Sequence, residues 1–135
     1  MVSPTHEELQ YILESAIQAP SADNHHNFHF IVHQTGVDVW HTAEKLPKSE
    51  GYRRALALLS LGAVAENIAI AGDRFDLQMK AILFPEPDKP DLIFRVMWDR
   101  GSNKRQDLWK VIPERHKSMG SLLWAKVVGG RLCFI

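Results

Sequence analysis

Between Tyr52 and Phe75 lies the longest regular stretch of the chain, and apolar side chains cover most of the circumference of the helix it would form. Leu56, Leu59, Leu61, Ala63, Val64, Ile68 and Ala71 leave no broad polar stripe. Such a helix is either central and buried or shared with a partner subunit. Gly62 and the alanines at 55, 57, 63, 65, 69 and 71 would let another backbone approach closely. Glu66 and Asn67 interrupt this surface, and each needs a polar partner wherever it is buried.

The flanking segments supply candidates for the packing layer. Ser3-Pro4-Thr5 before His6-Glu7-Glu8 is a helix start: Ser3 or Thr5 caps, Pro4 suits a first turn, and the glutamates lie at the positive end of the dipole. Leu9, Ile12, Leu13, Ala16 and Ile17 then recur at helical spacing, so the pattern predicts a helix over about 5–18. Phe28, Phe30 and Val32 alternate with His29, Ile31 and His33. A turn at Thr35-Gly36 leads to Val37–Thr42, which together predict a β-hairpin. Leu77–Phe84 and Leu92–Trp98 read as strands around a turn whose three prolines exclude helix and central strand. Asp107–Ile112 reads as a short helix ended by Pro113. The order predicts one α+β domain over 1–135, with an antiparallel or mixed sheet packed on the long central helix.

Composition narrows the function classes. At 135 residues and 45% hydrophobic the chain has the make-up of one globular domain. Sixteen basic residues balance sixteen acidic ones, which removes the electrostatic basis for nucleic acid or an anionic membrane surface. Near-zero net charge is permissive of self-association. The lone Cys133 excludes an internal disulfide and a multi-cysteine metal site. The N-terminus shows no signal-peptide pattern, and the apolar run Ala55–Ala65, broken by Ser60 and Gly62, is too short to span a bilayer. A cytoplasmic location is expected.

The stretch Ala16–Phe30 is where function is expected. Helical periodicity stops at Ala19-Pro20, and Ser21, Ala22, Asp23 and Asn24 form a short polar turn before the strand begins near Phe28. Held between a buried helix and a buried strand, such a turn presents backbone N–H groups and a carboxamide from a rigid base. Three other chemistries are conceivable from these residues. His25, His26, His29 and His33, with His41 across the hairpin, admit a metal site, since His29 and His33 share a strand face. Alternation already explains that spacing. Ser21 with Asp23 and the nearby histidines suggests a hydrolytic triad, but no Gly-x-Ser-x-Gly elbow surrounds it. Arg115-His116-Lys117, after Pro113, offers charge for a phosphate or is a solvated basic turn, and no Gly-rich nucleotide loop exists. The four tryptophans, Trp40, Trp98, Trp109 and Trp124, read as core or interface anchors.

Ala19-Pro20-Ser21-Ala22-Asp23-Asn24-His25-His26-Asn27-Phe28-His29-Phe30 resembles the Ala-Pro-Ser-x-x-Asn-x-Gln-Pro-Trp-x-Phe signature of the FMN-dependent nitroreductase superfamily. Ala19, Pro20, Ser21, Asn24 and Phe30 match it, whereas His26, Asn27 and Phe28 stand where the signature has Gln, Pro and Trp. Arg54–Ala71 resembles the long core helix of that family. The strand, Pro-rich turn and strand that follow come in the order seen in the N-terminal half of its two-lobed members. Arg115-His116-Lys117-Ser118-Met119 keeps only the first Arg and a hydroxyl of a phosphate-binding Arg-rich segment. Residues 119–135 match nothing in the family pattern, and the second half of the family fold has no counterpart.

The resemblance implies a truncated nitroreductase-like fold and an FMN cofactor reduced by NAD(P)H, which then reduces a small acceptor. It implies cofactor contacts from Pro20, Ser21, Ala22, Asn24 and His26 to the ring and from Arg115 and His116 to the phosphate, with no side chain acting as acid or base. It further implies a homodimer, with the long helix at the interface and the pocket completed by a second subunit. The alternative on the same fold is a catalytically inactive half-domain that holds flavin or mediates dimerisation.

Overall fold

The computed structural model describes residues 1–20, 28–42, 51–105, 107–114, 125–128 and 131–134, with 51–53, 125–128 and 131–134 described by their backbone. Helix α1, His6–Ala16, opens with a capping box: Glu8 N–H donates to Thr5 Oγ1 at 3.3 Å, and Thr5 N–H donates to Glu8 Oε2 at 2.7 Å. Two donors that a helix start leaves orphaned are thereby satisfied. Of the two candidate hydroxyls Thr5 is the cap, while Ser3 donates to Gln34 O at 2.9 Å and so ties the N-terminus to the hairpin tip.

Strands β1, Phe28–His33, and β2, Gly36–His41, form the expected hairpin, with the turn one residue earlier than the sequence suggests. Gln34 and Thr35 make the loop, and Gly36 is already paired with His33 without a positive φ. The glycine serves a close approach instead: a Cβ at Gly36 would lie 2.2 Å from the carbonyl oxygen of Val96. Helix α2 spans Gly51–Asp73, followed by β3, Leu77–Leu83, and β4, Leu92–Arg100. The short helix expected over Asp107–Ile112 is two 3₁₀ turns, Leu108–Lys110 and Ile112–Glu114. Pro113 lies inside the second turn, where its missing N–H costs no helical bond.

Strands β5, Ala125–Val128, and β6, Arg131–Phe134, form a second hairpin. Strand β6 pairs with β1 through Phe30–Leu132 and Ile31–Arg131, so part of the unmatched 119–135 segment joins the same sheet. All pairs in the six-stranded order β3-β4-β2-β1-β6-β5 are antiparallel. The α+β class expected from the element order is the class observed.

Both helices lie on one face of the sheet, because alternation gives that face an apolar surface. Phe28 and Phe30 of β1, Val37 and Val39 of β2, and Phe94, Val96 and Trp98 of β4 form one buried cluster. It also contains Ile12, Leu13 and Ala16 of α1, and Leu61, Val64, Ile68 and Ala71 of α2. Asn67, the polar interruption in α2, is buried and donates its Nδ2 to Ser15 O at 2.9 Å, which fixes where the two helices cross. Glu66 faces outward and pairs with Arg105.

Helix α2 is not buried all round. Leu61, Val64, Ile68, Ala69 and Ala71 face the core, while Leu59 is 71% exposed and Gly62 is also exposed. Two layers bury only one side of a helix, and among the described residues no third layer covers the outer one. The apolar helical segment also outruns Ala55–Ala65: by length and composition alone Arg54–Asp73 would suffice to cross a membrane, as the core helix of a soluble fold can.

Asn103 closes the far end of the molecule. Its Nδ2 donates to Ala69 O at 2.9 Å and to Leu77 O at 2.9 Å, and its Oδ1 accepts from Met79 N–H at 2.7 Å. On β3 the carboxamide thus takes the place of a neighbouring strand's peptide and links that edge to the last turns of α2. Asp73 holds the Asn103 loop in turn, accepting from the N–H groups of Asn103 and Arg105.

Candidate functional site

The segment between α1 and β1 is bounded by two buried residues. Past the C-cap Ile17, Ala19 N–H donates to Ala16 O at 3.1 Å, and the Ala19 side chain packs in the core with Phe28, the first residue of β1. Pro20 is exposed at the end of α1. Ser21, Ala22, Asn24 and His26 lie outside the described residues, as do Arg115 and His116. Of the seven residues expected to hold the cofactor, Pro20 alone is described. The 3₁₀ turns that lead to Arg115 lie beside α1 and the end of α2: Tyr11 Oη donates to Trp109 O at 3.5 Å, and the Arg74 guanidinium sits 4.3 Å from the Tyr11 ring and 5.1 Å from the Trp109 ring.

The end of the sheet nearest the turn carries polar groups of its own. His41, opposite Phe28 in the hairpin, continues the buried face of Val37 and Val39. Its Nδ1 lies 4.0 Å from Asp91 Oδ1, which Arg54 Nη1 approaches to 3.7 Å. Burial holds the imidazole below the usual histidine range; Asp91 opposes that shift and Arg54 adds to it. On the other face His29 stacks parallel to Trp40, with ring centroids 6.2 Å apart, and shares a 2.8 Å hydrogen bond with Thr42 Oγ1. Trp40 Nε1 is buried without an acceptor among the described residues, as is Trp98 Nε1 in the core.

A second polar network occupies the middle of the face away from the helices. Asp38 accepts from Arg95 Nε at 2.6 Å and Nη2 at 2.9 Å, and shares a 2.9 Å contact with His33 Nε2. Arg95 also donates to Glu86 at 3.0 Å, and Glu86 pairs with Lys89. Burial acts to raise the pKa of Asp38, but hydrogen bonds from Arg95 and then His33 outweigh it and hold the carboxyl below its usual range. A buried carboxylate paired in this way is a structural element. Asp38, flanked by Val37 and Val39, and Arg95, between Phe94 and Val96, were missed in the sequence, although a charge inside an apolar strand was the available signal. Their pairing depended on knowing that β2 and β4 are neighbours.

The described histidines do not converge as their sequence spacing allows. His29 and His33 do share a face of β1, but His33 is engaged by Asp38 and His41 points to the opposite face. Among the described residues no three His, Cys, Asp or Glu side chains converge on a metal-sized space. His25, His26, Ser21 and Asp23, which the metal and triad readings also need, lie outside the described residues. No protein-family model matches the chain, and no curated protein matches it.

Proposed function

We propose that this chain is an FMN-binding, nitroreductase-like oxidoreductase that passes reducing equivalents from NAD(P)H to a small acceptor. The observation that carries the reading is that buried Ala19 and buried Phe28, which bound the Ala-Pro-Ser-x-x-Asn segment in sequence, lie at one end of an antiparallel sheet backed by a long apolar helix. The framework suits a planar, hydrogen-bonding cofactor: Arg54, Asp91 and His41 line the same sheet end, and Pro20 starts the turn. When bound, the flavin supplies the redox chemistry. The chain's own groups bind and orient it, with Ser21 and Asn24 hydrogen-bonding the ring, Ala22 and His26 beside it, and Arg115 with His116 meeting the phosphate.

The exposed apolar side of α2 around Leu59 supports a homodimer through that helix, with the pocket completed by the second subunit. That same surface favours a second reading, in which the chain is a half-domain that dimerises or holds flavin without turnover. Under either reading the protein is cytoplasmic and has no nucleic-acid or membrane partner, in keeping with its balanced charge and single cysteine. NAD(P)H oxidation by the FMN-loaded protein, measured at 340 nm and compared with Asn24→Ala, separates the two. Turnover lost in the variant supports the enzyme; bound flavin without turnover supports the holding module.

A further inference from the structure

A β-bulge brings His41 to Asp91. The β2–β4 register runs Val37–Val96, Asp38–Arg95, Val39–Phe94 and then skips to Trp40–Leu92, leaving Ile93 as the extra residue. Uninterrupted pairing would set His41 opposite Leu92; with the skip, His41 N–H donates to Asp91 O at 2.7 Å. Bulges recur beside binding sites because they re-aim a side chain. The skip shifts β4, so Asp91 comes opposite His41, whose imidazole keeps the face of Val37 and Val39, is 6% exposed and makes no hydrogen bond among the described residues, while its Nδ1 and Arg54 Nη1 converge on the single oxygen Asp91 Oδ1 at 4.0 and 3.7 Å. Both separations exceed hydrogen-bond length, so the Asp91 carboxylate is not tied to either group by a hydrogen bond. Arg54 and Asp91 are about half exposed, so they meet solvent in front of the buried histidine. Arg54 is steadied from behind by donating to Pro90 O at 3.2 Å.

We propose that Arg54 and Asp91, backed by His41, recognise the amide edge of a ligand, an N–H beside a C=O. A phosphate or carboxylate would set its charge against Asp91, and a simple cation would set its charge against Arg54. A neutral edge satisfies both, giving its N–H to the Asp91 carboxylate and receiving a hydrogen bond from the Arg54 guanidinium on its C=O. His41 is a positioning residue, its buried ring lying behind the half-exposed Asp91 with Nδ1 4.0 Å from Asp91 Oδ1. The isoalloxazine imide and the nicotinamide carboxamide both carry such an edge, so this assignment rests on the flavoprotein reading.

The test measures dissociation constants of FMN by fluorescence quenching, and of NAD⁺ on the FMN-loaded protein, for wild type, Asp91→Asn and Arg54→Gln. Far-UV circular dichroism confirms that the variants fold. A roughly tenfold weakening of FMN, the loss of about one charged hydrogen bond, assigns the edge to the flavin imide. The same weakening confined to NAD⁺ assigns it to the nicotinamide carboxamide. Wild type that binds FMN with both variants unchanged toward both ligands overturns this assignment and leaves the flavoprotein reading intact. Wild type that does not bind FMN overturns both.

Discussion

Replacing Asn103 by alanine removes the connection between β3 and the end of α2. Three backbone contacts go at once: the two carbonyls of Ala69 and Leu77 lose the Nδ2 donor, and Met79 N–H loses its acceptor. A net intramolecular hydrogen bond contributes about 1 kcal/mol, and partial exposure lets water replace some of the loss, so Asn103→Ala should cost about 2–3 kcal/mol. For a domain of this size the urea dependence is about 2 kcal/mol per molar, which puts the midpoint about 1–1.5 M lower at unchanged slope. Asn103→Asp is the sharper control. It keeps an acceptor for Met79 but loses both donations, and it sets a carboxylate where the amide nitrogen now lies 3.1 Å from Asp73 Oδ1. It should therefore be at least as destabilising as alanine. Urea unfolding followed by tryptophan fluorescence checks both variants. A midpoint shift below about 0.3 M for Asn103→Ala, or Asn103→Asp matching wild type, would refute the assignment of Asn103 as a strand-edge substitute.

Gly36→Ala should destabilise by about 1–3 kcal/mol, because its Cβ meets the Val96 carbonyl and that carbonyl is held in the sheet; a neutral thermal shift would show that the approach relaxes freely. Leu59→Glu should leave the fold intact and shift a dimer to monomer in sedimentation velocity, and an unchanged dimer would exclude the outer side of α2 as the interface. The lowered pKa of His41 means that the unfolded chain binds more protons between the folded value and about 6.5, so stability should fall as pH drops below about 6.5. His41→Gln should remove that part of the decline in a pH series of urea midpoints. Asp38, also lowered, should contribute stability that is present above its ordinary value and lost as pH falls through the folded one, and Asp38→Asn should flatten that acid limb.

Much of the architecture was readable from periodicity. The α1 face, the β1–β2 alternation and the long apolar run each carry their own repeat, and local repeats survive into structure. What escaped were features set by contacts distant in sequence. Gly36 reads as a turn glycine until β4 is known to lie beside it. Asn103 reads as a loop residue, since nothing local reveals that its carboxamide will replace a strand. Asp38 and Arg95 are charges set within apolar strands, and only the β2–β4 pairing joins them. The Val39–Trp40 bulge, which delivers His41 to Asp91, leaves no mark in residue types. The polar stretch Pro20–Asn24 was marked as a candidate site by its residue types and its place between two apolar segments, and the structure describes the buried residues Ala19 and Phe28 that bound it.

The flavin proposed for the segment between α1 and β1 can be tested on the purified protein. Titrating FMN against the purified wild-type protein, with fluorescence quenching and the visible absorption spectrum read together, tests it most directly. Saturable quenching, a shifted flavin spectrum and a complex whose affinity falls at least tenfold in Asn24→Ala are expected. Unquenched FMN with the spectrum of the free cofactor, at protein concentrations where the fold is intact by circular dichroism, would contradict it.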